Sequence, residues 1–157
     1  MKKAVLFVAV SVLMLMISCG DEQPTKVNEN EKILQIKHSL YYGECLGYCD
    51  TDVQLDSMNA HYIQRGWTET EVLPTKDSSF SISFQQMNGI FSSFNIDNVF
   101  TLDTIYQPLD QLDVGYFTIE ITTSLRHKKI QFNRSKYLPP VDSLNKLLME
   151  LRKQLKT

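Results

Sequence analysis

The chain has 157 residues, 43% hydrophobic and 22% charged, with a formal net charge of -2. That is an ordinary globular composition, sized for one domain. There is no basic excess and no interleaving of aromatics with arginines, so nothing points to nucleic acid. Low-complexity segments and internal repeats are absent.

Residues 1–18 stand apart from the fold. Lys2 and Lys3 precede an apolar run from Ala4 to Ile17, broken only by Ser11. This is the build of a secretory signal sequence, too short for a confident membrane span. Its end, Met16-Ile17-Ser18-Cys19, resembles a bacterial lipobox, with Met16 where leucine is usual. The resemblance implies that Cys19 is lipidated (palmitate being such an acyl chain) and becomes the first mature residue. The plainer reading is a cleaved signal with an incidental cysteine, but a lone exported thiol asks for a reason. Removing Lys2 and Lys3 leaves a more acidic mature chain, which should stand off an anionic membrane rather than lie on it. About 140 residues can bury roughly two-thirds of their unfolded surface, enough for a single core.

Residues 19–32 read as a tether, polar and nearly free of apolar side chains. Asp21 and Glu22 resemble the export signal of some surface lipoproteins of Bacteroidota; equally, any flexible tether is polar. The domain is expected over 33–157. Ile33, Leu34, Ile36, His38 and Leu40 approach alternation, which predicts a strand over 33–42. It leads into Glu44-Cys45-Leu46-Gly47-Tyr48-Cys49, around which the rest of the chain is organised.

Cys45 and Cys49 are four apart, which on a helix would place them on one face. Gly47 and the flanking Tyr41, Tyr42 and Tyr48 argue instead for a tight turn that lets the sulfurs meet. Three readings are open. The favoured one is a structural disulfide, worth roughly 2 kcal/mol for so short a loop. A redox dithiol would want two residues between the cysteines and a helix after them, and neither is present. A metal site would recruit His38 and His61 as further ligands, although the histidines lack paired spacing.

Val53 and Leu55 predict a second strand, Asp56 to Asn59 a turn, and His61 to Gly66 a third strand. A fourth is expected from Trp67 to Leu73, stopped by Pro74, with Lys76 to Ser79 as a polar loop. Phe84, Met87, Ile90, Phe91 and Phe94 fall on one face of a helix over 83–94, capped by Ser81 or Ser83 and weakened by Gly89. Core packing explains that Phe- and Met-rich face better than a ligand pocket does. Residues 95–114 read as irregular, anchored by Val99, Phe100 and Leu102. Asp103, Asp110 and Asp113 lie there without calcium-loop spacing, so a solvated acidic loop is expected.

Phe117, Ile119 and Ile121 mark a strand from Tyr116, and Ile130 and Phe132 the next. A hairpin loop over 124–129 would carry a basic tip of Arg126, His127, Lys128 and Lys129, solvated or facing an acidic partner. Pro139-Pro140 opens a final helix striped by Val141, Leu144, Leu147, Leu148, Leu151 and Leu155. Asp142 near its start and Arg152, Lys153 and Lys156 near its end suit the macrodipole. A membrane-binding helix is the rival reading, but a sheet needs such a stripe to cover it.

The element order, the corner at Cys45, Gly47 and Cys49, Tyr62, Gly66 and the helix before Phe100 together resemble a known family. It is a family of uncharacterised bacterial envelope proteins, a domain of unknown function marked by a Cys-x-Gly-x-Cys corner. The likeness covers about residues 33–155. Asp50 stands where that family usually has proline, and Ser57 to Asn59 replace a glycine expected in the hairpin turn. The resemblance implies a fold and an address but no activity.

The sequence therefore predicts an α+β domain, with an antiparallel sheet of five to six strands covered by two helices. No Ser-His-Asp context, phosphate loop or paired metal motif is recognisable, and no cofactor or catalytic residue is assigned. The expected role is a lipid-anchored envelope protein, held by Cys19 in the outer membrane, with a non-catalytic binding or structural domain and an envelope protein as possible partner. The alternative is an envelope thiol/disulfide or metal protein using Cys45 and Cys49.

Overall fold

The computed structural model describes residues 31–43, 45–56, 58–106 and 115–156. The expected signal sequence, Cys19, Asp21, Glu22 and the rest of the expected tether before Glu31, together with Glu44, Ser57, Asp110 and Asp113, lie outside the described residues. The domain is α+β: among the described residues it has one mixed seven-stranded sheet and three helices.

Alternation fixes which way the central strand faces. In β1 (Ile33–Tyr41), Ile36, His38 and Leu40 point to the core, while Lys37, Ser39 and Tyr41 point away. Its neighbours continue the pattern. β2 (Gly47–Asp56) sets Val53 opposite His38 and Leu55 opposite Ile36, and β6 (Tyr116–Thr123) sets Ile119 and Ile121 opposite the same two residues. Beyond β2 lie β3 (Asn59–Trp67) and then β4 (Val72–Ser81). Beyond β6 lie β7 (His127–Asn133) and the two-residue β5 (Ile105–Tyr106). The order is β4-β3-β2-β1-β6-β7-β5, antiparallel throughout except for the β5–β7 pair.

Three helices cover the inner face. α1 (Phe84–Phe91) starts at Ser83, whose hydroxyl accepts from the Gln86 N–H while the Gln86 side chain accepts from the Ser83 N–H. This reciprocal cap satisfies two amide donors that the first turn leaves open. α1 buries Met87 and Ile90, but Phe84, expected on the packing face, is 68% exposed. α2 (Ile96–Phe100) is capped by Asn95 and buries Val99. α3 (Pro139–Leu155) buries Val141, Leu144, Leu148, Leu151 and Leu155 on the sheet, leaving Leu147 exposed. Each fully buried leucine contributes about 2–3 kcal/mol of hydrophobic stabilisation.

Several expectations are corrected. The sheet has seven strands, not five or six, and three helices, not two, because the segment after α1 contributes α2 and β5. Trp67 closes β3, and β4 runs through Pro74 and through Lys76 to Ser79, which were expected as a stop and a loop. This is an edge strand, so Pro74 needs no second ladder partner, and a polar, charged edge resists pairing with other chains. Pro74 and Thr75 also stand opposite Arg65 alone, in a bulge where a missing N–H costs little.

The basic tip is solvent-exposed, as expected, but its cations are paired within the chain. Arg126 pairs with Glu31 (2.6 Å) and Asp97 (2.8 Å), Lys129 pairs with Glu120 (3.2 Å), and the Lys128 ammonium donates to the Leu102 carbonyl. His127 to Lys129 belong to β7, and Thr123 Oγ1 accepts from the amides of Leu125 and Arg126 to close a shorter turn. Glu31 and Lys32 are docked, since Lys32 exchanges hydrogen bonds with Ser124. Arg152, expected to serve the macrodipole at the helix end, is instead 5% exposed in the core.

Candidate functional site

The Cys45–Cys49 corner is closed by a disulfide, with the two Cα atoms 6.0 Å apart. Gly47 makes the reversal with φ +99°, a backbone that side chains disfavour. Gly66 on β3 packs so tightly on the corner that a Cβ there would lie 2.2 Å from the Gly47 carbonyl oxygen. Tyr48 pairs with Gly66 and Asp50 with Arg65, which makes Cys49 the extra residue of a bulge. Its carbonyl accepts from the Tyr42 N–H at 3.1 Å, and the residue is 1% exposed, whereas Cys45 is half-buried. Two glycines and a bulge therefore seat the disulfide.

The histidines weighed as metal partners lie on opposite faces of the sheet. His61 is on the helix-free face, where its Nδ1 meets Ser79 Oγ at 3.0 Å and its Nε2 lies 3.6 Å from Asp56. His38 is fully buried beneath α3. No group of three His, Cys, Asp or Glu able to hold a metal occurs among the described residues. Asp103, the described member of the acidic loop, donates its N–H to the Tyr106 hydroxyl.

His38 leads to a feature that the sequence left unassigned. An arginine can only donate, so Arg152 Nη2 gives a hydrogen to His38 Nδ1 (3.1 Å), and His38 Nε2 must carry the ring proton to Asn145 Oδ1 (2.9 Å). Burial, reinforced by the Arg152 charge and opposed by Asn145, pushes the imidazole down to about 3. The ring is therefore neutral and stacks on Phe117, with centroids 5.4 Å apart.

Arg152 makes four hydrogen bonds, every one to a neutral acceptor. Nη1 donates to Thr51 O (2.9 Å) and Thr51 Oγ1, and Nη2 to His38 O (2.7 Å) and His38 Nδ1. Its Nε is buried without an acceptor, and among the described residues it forms no salt bridge. Burial lowers its pKa, against the pull of Tyr62 and Asp52, yet a guanidinium stays protonated. This is a buried cation that no carboxylate among the described residues touches, an arrangement that normally costs several kcal/mol.

Beside Arg152 a cavity of about 250 Å³ opens between α3 and the β1–β3 end of the sheet. Leu40, Thr51 and Tyr62 line it with Arg152, and Tyr42 and Tyr48 bring the residues flanking the disulfide into its wall. Lys153 and Lys156 line it from the last turn of α3.

The helix-free face treats charge differently. Asp52 is 2% exposed there because Arg65 (2.8 Å) and Lys37 (3.2 Å) close over it, and Arg65 also reaches Asp50 (3.0 Å). Burial pushes the Asp52 carboxyl up, but Ser39, Arg65 and Lys37 together outweigh it and hold it below the usual range. Tyr41 stacks on Trp67 (6.0 Å) and on Tyr116 (5.1 Å) beside this cluster. Acids and bases here neutralise one another.

The chain matches no known family model, and no curated protein sequence is similar to it. Among the described residues, no helix is long and apolar enough to cross a membrane.

Sequence reasoning paired Cys45 with Cys49 correctly and missed Arg152, Thr51 and Asp52. One signal was available: Arg152 continues the Leu144, Leu148 row at a spacing of four, so its Cα lies on the buried side of the helix. For Asp52, the equivalent signal needed the register that brings Arg65 and Lys37 beside it.

Proposed function

We propose that the chain is a bacterial envelope lipoprotein, anchored in the outer membrane through lipid on Cys19, whose α+β domain binds a partner without catalysing a reaction. The observation that carries this reading is the Cys45–Cys49 disulfide, because such bonds persist in exported proteins and are rare in reducing compartments. The leader and the Met16 to Cys19 sequence support it, and so does membership of the corner-bearing envelope family proposed from Cys45, Gly47, Cys49, Tyr62 and Gly66. The alternative, an envelope thiol or metal protein, needs an accessible dithiol. A buried Cys49, and histidines on opposite faces of the sheet, favour the staple.

The test is expression of the full chain in a bacterium fed a clickable palmitate analogue, followed by membrane fractionation and a thiol count. The expected result is a labelled protein in the outer-membrane fraction, with label and membrane association both lost in Cys19→Ala and no free thiol at Cys45 or Cys49. An unlabelled wild-type protein recovered in the soluble fraction would overturn the anchor. Free thiols in freshly isolated protein would make the corner the functional site.

A further inference from the structure

We propose that the cavity between α3 and the β1–β3 end of the sheet is a binding site for a carboxylate carried on an apolar or aromatic body, with Arg152 as its charged floor. The inference gives the proposed binding role a ligand class, and so rests on that reading for the domain but not on the lipid anchor.

Charge is the first argument. Arg152 is 5% exposed, and among the described residues it pairs with no carboxylate and no acidic side chain lines the cavity. The nearest acids acting on it, Asp50 and Asp52, lie on the other face of the sheet and already hold Arg65 and Lys37. Lys153 pairs with Glu150 (2.6 Å), but both are well exposed, so that pair is weak and readily exchanged. Lys156 adds a further cation. A buried cation that meets no carboxylate among the described residues on its own face of the sheet is best balanced by what enters the cavity.

Donors are the second argument. Tyr62 is 5% exposed, and its hydroxyl oxygen accepts from Gln64 Nε2 at 3.1 Å. Its own proton has no acceptor among the described residues, and burial keeps the phenol neutral. Arg152 Nε–H likewise lacks an acceptor. Arg152 Nε is sealed from solvent and its other N–H groups are held by Thr51 and His38, so the guanidinium acts on the cavity through its charge, and the Tyr62 hydroxyl is the donor beside it.

The walls select the ligand class. Leu40, Met149 and the rings of Tyr42 and Tyr48 give the cavity an apolar lining. A phosphate dianion is better served by loop amides or several arginines, which this cavity lacks. A single guanidinium with aromatic walls suits a monoanion on an apolar body. Such a carboxylate belongs either to a small organic acid or to the C-terminus of a peptide.

The experiment uses the full chain in detergent, titrated with sodium phenylacetate, N-acetylphenylalanine, 2-phenylethanol and inorganic phosphate, and read by amide chemical shifts. Both carboxylates should shift residues around Tyr42, Tyr62 and Arg152, with the uncharged alcohol and phosphate at least about tenfold weaker. N-acetylphenylalanine binding about tenfold tighter than phenylacetate assigns a peptide C-terminus, and the reverse assigns a free acid. Arg152→Met should weaken phenylacetate about tenfold or more. Should that variant fail to fold, Tyr62→Phe, which removes only the hydroxyl donor, should weaken it about threefold or more. Equal binding of phenylacetate and phenylethanol, equal or tighter binding of phosphate, or no binding at 10-mM-scale concentrations (about 10 mM, a Kd near which the free energy is only about -3 kcal/mol) would each overturn the proposal. Loss of lipid labelling at Cys19 bears on the anchor alone and leaves this result standing.

Discussion

Mild acid should destabilise this domain through His38. The ring is fully buried, and its pKa is pushed from an ordinary 6.5 to about 3 by burial and by the Arg152 charge. The unfolded chain takes up a proton as pH falls through 6.5, whereas the folded chain refuses it until about 3. Between those values the unfolded state binds more protons, so stability is greatest above 6.5 and falls with pH at up to about 1.4 kcal/mol per unit. The loss reaches about 2 kcal/mol at pH 5 and about 4 kcal/mol if carried to pH 3. Glu31 and Asp52, both held below their usual range, give up stability only as pH drops through about 4.5 and lower, outside a pH 7 to 5 window. Urea unfolding at pH 7, 6 and 5 measures the slope directly. His38→Gln should lower stability at pH 7 and flatten the slope. An unchanged midpoint for the wild type between pH 7 and 5, or an equal slope in the variant, would refute the reasoning.

The remaining predictions concern the corner and the core. Replacing both Cys45 and Cys49 by alanine should cost about 2 kcal/mol, measured by urea unfolding without reductant, and adding reductant to that variant should change nothing further. Gly66→Ala should destabilise by about 2 kcal/mol or more, since the new Cβ would meet backbone on the corner at 2.2 Å. Gly89→Ala, where a Cβ meets nothing within 4 Å on α1, should instead raise stability by about 1 kcal/mol; a loss in thermal melts would mean that α1 is not helical there. Leu148→Ala should cost about 3 kcal/mol, and a cost near zero would show that α3 does not cover the sheet.

Much of this was legible where burial and backbone periodicity coincide. β1, β6 and α3 each bury one clean face, so Ile36, Ile119 and Leu144 announce their elements. β4 was misread for the opposite reason. Its ladder to β3 makes it a strand, but most of its side chains remain in water, so Lys76 to Ser79 carry no periodicity. α2 and β5 are too short for any period to register, and β5 exists only because β7 offers it an edge. The pairing of the basic tip was not legible because its partners, Glu31, Asp97, Glu120 and the Leu102 carbonyl, come from four separate places in the chain. The cysteine corner was legible in outline, since Gly47 allows the turn; the second glycine, Gly66, matters through a contact that only the fold creates.

The spacing of Arg152 on the Leu144, Leu148 row hinted at burial, but its partners come from β1 and β2, and those surroundings carry the functional argument. A structural clamp alone does not call for a cation at this place, because Leu144 and Leu148, earlier on the same helix row, hold α3 to the sheet by burial. Buried charges are often replaceable by apolar side chains at no loss of stability. What the arginine adds is a fixed charge. Thr51 and His38 occupy four of its N–H groups and lock the guanidinium in one orientation before anything binds. Those acceptors are neutral, so they orient the charge without cancelling it. His38 stays uncharged down to about 3, so the floor of the cavity carries a single positive charge throughout neutral and mildly acid conditions. On the other face, Asp52 has the reverse arrangement, a buried anion closed over by its own cations. One face of the sheet is thus electrostatically complete, and the other presents an oriented charge to a cavity beside the disulfide.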